Sequence, residues 1–145
     1  MAPVPVPSYL DAIERITFAS VALTTRVLDE VAGADLTMLG WRVLVIVGQA
    51  SGGLRLGELA DRLRISRPSA TKAVQRLRRR GLVETARDHA DARGRRLRLT
   101  LDGIQLRETV LARRRQLLVE TIGRGMPGDF EAGIRLVADR LDRWT

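Results

Sequence analysis

Between Leu56 and Leu101 the spacing of apolar residues switches from a helical to an extended period, and few folds accept both in so short a span. Leu56, Leu59, Ala60 and Leu63 recur at steps of three and one, and Ala70, Ala73, Val74 and Leu77 repeat the pattern after a break at Arg64 and Ile65. Residues spaced this way share one helix face. Ser66 is placed to cap the second helix, and Pro68 is tolerated in its first turn, where the backbone N–H has no intrahelical partner. Gly81 is placed to end it, just after Arg78, Arg79 and Arg80 at the negative end of the helix dipole. Leu82 to Arg87 and Arg95 to Leu101 then read as strands. In the second, Leu97, Leu99 and Leu101 alternate with Arg96, Arg98 and Thr100, giving one buried and one wet face. The small, polar stretch from Asp88 to Gly94 is the tip of a hairpin.

The helix pair has the pattern of a helix-turn-helix: Ala60 is small where the second helix crosses, and Ile65 fills the corner. One position departs from it. The place in the turn that usually favours glycine holds Arg64, which implies an unusual backbone conformation on a bulky residue. A helix-turn-helix followed directly by a hairpin is a winged helix. Thr37 caps a preceding helix, Met38 to about Gln49, that is apolar nearly all round and is therefore expected to be central and buried. Ser51-Gly52-Gly53 is a turn.

Long helices flank this unit. From Ser8 to Val31 a stripe runs through Leu10, Ile13, Ile16, Leu23, Val27 and Val31, with Ser20 filling its one gap, and Gly33-Ala34-Asp35 breaks it. Thr100 caps a helix from Leu101 to about Arg124, with Asp102 in its first turn. After a break around Pro127, Phe130, Ile134, Val137, Leu141 and Trp144 mark a last helix, Asp129 to Trp144. The expected fold class is mainly α: a winged helix-turn-helix, made of a three-helix unit plus a small antiparallel β-hairpin wing, between N- and C-terminal helices. The corresponding divisions are 1–35, 36–100 and 101–145, within one compact domain.

Charge points to a partner. The chain carries a formal net charge of +8, yet from Arg55 to Arg98 fourteen Lys or Arg face five Asp or Glu, while the remainder is close to neutral. A basic module on a near-neutral carrier suggests a polyanion, against the plainer alternative of a solvated basic surface. From Arg62 to Arg80 there are eight basic residues and no acidic one, whereas an ordinary surface helix mixes signs. With Ala70, Val74 and Leu77 inward, the second helix turns Arg67, Ser69, Thr71, Lys72, Gln75 and Arg76 to outer or flanking faces. Such groups suit DNA: Arg and Lys reach guanine, Gln addresses adenine, and Thr contacts base edges or the thymine methyl. Ser66 and Pro68 open the helix at an N-terminus that can itself meet a phosphate. In the wing, Arg93 and Arg95 are placed to enter a minor groove. Asp91 either orients Arg93 or makes a plain Asx turn. His89 is a solvated residue or a phosphate contact, and Arg113-Arg114-Arg115 are dimer or phosphate contacts.

At these residues the chain resembles the MarR family of transcriptional regulators. The resemblance rests on Leu56-Gly57-Glu58-Leu59-Ala60-Asp61-Arg62-Leu63, Ile65-Ser66, Ser69-Ala70-Thr71 and Arg78-Arg79-Arg80-Gly81-Leu82-Val83-Glu84. It also rests on the wing's Asp88-x-x-Asp91-x-Arg93, the closing Leu99-Thr100-Leu101-Asp102-Gly103, and Trp41-Arg42-Val43-Leu44. It covers roughly Leu36 to Gly103, and the flanking helices match in layout only. It implies a homodimer with interlocked terminal helices, one winged helix per subunit and double-stranded DNA as partner. The sequence offers surfaces for this in Ile13, Ile16 and Leu23, and in Phe130, Ile134, Val137, Leu141 and Trp144, with packing inside one chain as the alternative. A two-fold dimer implies a pseudopalindromic operator. Similar proteins release DNA when a small molecule, often an aromatic or phenolic acid, wedges between the dimer helices and the winged lobe. Phe18, Trp41 and Arg42 are candidate walls here. Trp41 is otherwise a core residue, and Arg42 otherwise pairs with a nearby Asp or Glu.

Other classes find little support. The absence of cysteine excludes disulfides and thiol switches and suits a cytoplasmic location, and a single His89 is too little for a zinc site. No nucleophile–base pair or Gly-rich phosphate loop suggests an enzyme, and no cofactor is implied. Pro3, Pro5 and Pro7 suggest an extended arm, not a signal peptide. The apolar run Val43 to Val47 is too short for a bilayer, so no membrane partner is expected. The competing reading is an architectural or partner-binding winged-helix protein that binds DNA without sensing a ligand.

Overall fold

The structure is a computed structural model that describes residues 8–33, 35–87, 94–123, 125 and 127–142. Its elements follow in the order α1 (Ser8–Ala32), α2 (Met38–Gln49), α3 (Leu56–Leu63), α4 (Arg67–Arg79), β1 (Val83–Arg87), β2 (Arg95–Leu99), α5 (Leu101–Ile122) and α6 (Gly128–Leu141). The expected fold class, mainly helical with one antiparallel hairpin, is the one observed.

The core forms around α2. Val43 and Leu44 are fully buried there, with Trp41 and Val47 beside them, and they meet Leu59 and Leu63 of α3 and Val74 and Leu77 of α4. Polar residues at the helix starts satisfy backbone donors that would otherwise lack partners. The Thr37 hydroxyl accepts from the Gly40 N–H at 3.1 Å, and that of Ser66 accepts from the Ser69 N–H at 3.3 Å. Arg64 closes α3 in the left-handed conformation, φ 54° and ψ 45°, and its N–H reaches the Ala60 and Asp61 carbonyls. It is the only non-glycine residue with positive φ among the described residues, as the sequence pattern led one to expect.

β1 and β2 pair antiparallel, with Val83 opposite Leu99 and Thr85 opposite Leu97. Two details differ from the sequence reading. β2 ends at Leu99, and Leu101 begins α5 with 69% of its surface exposed, so the third leucine of the alternation does not face the core. Thr100 is the reason: its hydroxyl accepts from the Gly103 N–H at 3.1 Å and donates to the Gly81 carbonyl, which turns the chain into a helix one residue before Leu101 would pack. Leu54, directly after the Ser51–Gly53 turn, also exchanges backbone hydrogen bonds with Leu97 at 3.0 and 2.8 Å. This extra rung requires a close approach. Gly53 has φ +76°, and a Cβ there would press on the Leu97 carbonyl.

Gly103 is another close approach. A Cβ on it would collide with the carbonyl oxygen of Leu82, so the first turn of α5 lies directly on the backbone that leaves α4. The Thr100 N–H donates to that same Leu82 carbonyl at 3.2 Å. The wing root, the end of α4 and the start of α5 therefore meet at one joint.

The outer helices are only partly used within the chain. Thr24, Val27 and Leu28 of α1 are buried against α5, and Leu23 and Val31 are half-buried, whereas Ile16 is 61% exposed. Arg113 pairs with Glu30 at 2.8 Å, and Arg114 donates to the Ser20 hydroxyl at 3.3 Å. Two of the three consecutive arginines thus tie α5 to α1 inside the chain. None of the described residues of α6 is buried. Among the described residues no helix is long and apolar enough to cross a membrane.

Candidate nucleic-acid interface

α4 separates its faces sharply. Ala70, Ala73, Val74 and Leu77 are buried, while Arg67, Pro68, Ser69, Lys72, Gln75 and Arg76 are exposed and Thr71 is half-buried. Several of these side chains have local partners. The hydroxyls of Ser66 and Ser69 bond each other at 2.9 Å, and that of Thr71 donates to the Arg67 carbonyl at 2.9 Å. Arg67, Lys72 and Arg76 take part in no side-chain ion pair among the described residues, so their charges are available to a partner. A groove of about 450 Å³ runs between α4 and the start of α2, lined by Thr37, Gly40, Ser69, Lys72, Gln75 and Arg76 among others.

Residues beyond the outer face hold α4 in position. Arg80 donates from its guanidinium to the Ala32 carbonyl at 3.3 Å, linking the end of α4 to the end of α1. The sequence reading used Arg80 only as a dipole partner. At the other side, Arg96 donates to the Gly53 carbonyl at 3.1 Å and braces the wing root. Arg95 sits opposite Arg87 at the outer end of the hairpin, and both are exposed. Of the remaining wing residues singled out, Asp88, His89, Asp91 and Arg93 lie outside the described residues, as does Trp144 at the other end of the chain.

Trp41 and Arg42 border a cavity of about 660 Å³ between α2 and α5, with Val45, Ile46, Gln49, Leu111 and Arg114. Trp41 is only 4% exposed, so it packs in the core and also forms part of this wall. Arg42 has no carboxylate partner among the described residues. Arg62 and Arg64, from the helix-turn-helix itself, join the same cavity, which the sequence spacing did not suggest. Burial pushes the Arg114 guanidinium below its ordinary value, and its Nε is buried without a hydrogen-bond partner. Phe18 does not line the cavity; it is 77% exposed on the outer half of α1. Along the terminal helices, Ile13, Leu23 and Val137 are half-buried, while Phe130, Ile134 and Leu141 are exposed. No group of three or more metal-ligating side chains occurs among the described residues.

Residues 34–94 match the model of the MarR family. The whole fold is similar to solved structures at low identity. Rv1404 from Mycobacterium tuberculosis superposes with a TM-score of 0.78 at 20% identity, covering 98% of this chain and 97% of that one. CouR from Rhodococcus jostii RHA1, solved with p-coumaroyl-CoA, gives 0.72 at 19% identity over 92% and 91%. A point mutant of MepR from S. aureus, solved with an oligodeoxyribonucleotide, gives 0.66 at 18% identity over 97% and 100%. No curated protein matches the sequence significantly. The winged helix thus matches the MarR family's model over residues 34–94, and the chain shares the fold of these solved structures over nearly its whole length.

Proposed function

We propose that this chain is a sequence-specific transcriptional regulator, a repressor that binds a pseudopalindromic operator as a homodimer and leaves it when a small molecule binds. The observation that carries the reading is the outer face of α4. Arg67, Lys72, Gln75 and Arg76 stand exposed on a helix whose other face is buried, with no acidic residue from Arg62 to Arg80. These residues read base edges or phosphates, and Arg95 and Arg93 extend the contact through the wing. The exposed apolar residues of α1 and α6, Ile16, Phe130, Ile134 and Leu141 among them, form the dimer surface. Two chains then place two copies of α4 about one DNA turn apart. MepR, solved with an oligodeoxyribonucleotide, supports the DNA partner, and CouR, solved with a phenolic thioester, supports a small-molecule effector. The cavity beside Trp41 and Arg42 is the candidate effector site.

The test is binding to a retained genomic fragment measured across salt concentration. Each phosphate neutralised by Lys or Arg contributes a slope of about −0.9 in log affinity against log salt. Replacing both Lys72 and Arg76 by Ala is expected to weaken binding and flatten that slope by about 1 to 2. An unchanged affinity and slope would remove α4 from the interface.

A further inference from the structure

We propose that Arg80 is a positioning residue that sets which half-site spacing the chain accepts on DNA, by fixing the end of α4 against the end of α1. This rests on the reading of the chain as a dimer that reads DNA through α4. Arg80 lies one residue past the end of that helix, beyond its exposed reading face.

The end of α1 is short of positive charge. Its last turn holds Asp29 and Glu30 and no basic residue, and its final carbonyls have no donor within the helix. A helix C-terminus carries partial negative charge, which acidic neighbours reinforce. Arg113 of α5 answers Glu30 at 2.8 Å. Arg80 supplies the second cation, and its Nη2 donates to the carbonyl of Ala32, the last residue of α1, at 3.3 Å. Arg67, Lys72 and Arg76 take part in no side-chain ion pair among the described residues. The basic residues of this region therefore divide between those that face outward and one that is engaged by the chain itself.

Three links close a triangle around the end of α4. The first joins α5 to α1 through Arg113 with Glu30 and Arg114 with Ser20. The second joins α5 to the chain leaving α4. There the Thr100 hydroxyl donates to the Gly81 carbonyl, the Thr100 N–H donates to the Leu82 carbonyl at 3.2 Å, and Gly103 lies against that same carbonyl. Arg80 with Ala32 is the third side, and it hangs on one long side chain. Without it the end of α4 keeps its tie to α5 and gains a pivot there.

A small pivot is enough. α4 has 13 residues and is about 20 Å long, so a tilt of about 5° at its end moves its N-terminus by up to about 1.7 Å. Two chains related by a two-fold axis double that to about 3.4 Å, the rise of one base pair. The third link thus decides whether the paired α4 helices fit one spacing or tolerate its neighbours.

The experiment uses the full chain and the duplex recovered by retention of genomic fragments, with two derivatives that gain or lose one base pair midway between the half-sites. The wild type is expected to prefer its own spacing by about tenfold. Arg80→Ala is expected to narrow that preference to about twofold while the slope of log affinity against log salt stays unchanged. Arg80→Lys, which keeps a cationic donor on a long stem, is expected to restore the preference. Urea unfolding checks that both variants remain folded. A slope flattened by about 0.9 in Arg80→Ala, with the spacing preference intact, would assign Arg80 to a DNA phosphate and overturn the inference. A wild type that binds the three spacings equally would overturn it too and leave the regulator reading standing. Retention of no specific fragment would overturn the inference and that reading together.

Discussion

The winged lobe and the terminal helices use the same kinds of apolar residue to opposite ends. In the lobe, Val43, Leu44, Leu59 and Leu63 are almost wholly buried by their own chain. On the outer half of α1, the end of α5 and all of α6, Ile16, Val119, Ile122, Phe130, Ile134 and Leu136 are left exposed. Isolated exposed leucines are ordinary, but this many on the terminal helices is the apolar surface that the proposed dimer would use. The lobe is complete as a fold within one chain. The terminal helices leave apolar surface that the proposed dimer would cover, and the contrast separates what stabilises the protomer from what that dimer requires.

Four substitutions and one truncation probe that contrast. The sharpest is Gly103→Ala, because the added methyl meets the Leu82 backbone and not a movable side chain. A loss of about 4 kcal/mol in urea unfolding is expected, and a loss below about 1 kcal/mol would show that α5 shifts freely on the lobe. Next, Leu59→Ala in the buried lobe is expected to lose about 3 kcal/mol. Leu136→Ala on α6, measured on dilute monomer, is expected to stay within about 0.5 kcal/mol. Equal losses would erase the distinction between the two regions. Third, ending the chain after Gly125 removes α6 and, on the dimer reading, weakens operator binding on the order of a hundredfold, equivalent to about 2.7 kcal/mol. Sedimentation should then report monomer, and a stable DNA-binding dimer would rule out α6 as part of the interface. The smallest effect is a gain: Arg64→Gly relieves the left-handed turn and is expected to stabilise the lobe by about 1 kcal/mol in the same unfolding assay.

Much of the lobe was legible because its signals are local. Thr37, Ser66 and Thr100 act within three residues as caps, and Gly81 ends α4 with φ +70° where the basic run stops. Arg64 stood out because the turn geometry asks for glycine. The reading failed where two local rules met. At Leu101 alternation said strand and the Thr100 cap said helix, and the cap prevailed because Gly103 lets α5 close on Leu82. Long-range pairings left no periodic trace. Leu54 against Leu97 looks like the tail of a turn, and Arg113 with Glu30 joins residues 83 positions apart. The gathering of Arg62 and Arg64 with Trp41 and Arg114 depends on how α3 and α5 lie across α2, which no stretch of sequence displays. Phe18, offered as a candidate wall, is exposed on α1 and is not among the residues that line this cavity.

The central claim, a dimer that reads a specific site through α4, is tested most directly by retaining genomic fragments on the purified protein near physiological salt and sequencing them. The account predicts enrichment of a few sites that share an inverted repeat with half-sites about 10 bp apart. Uniform retention without a motif, or no retention, would contradict it.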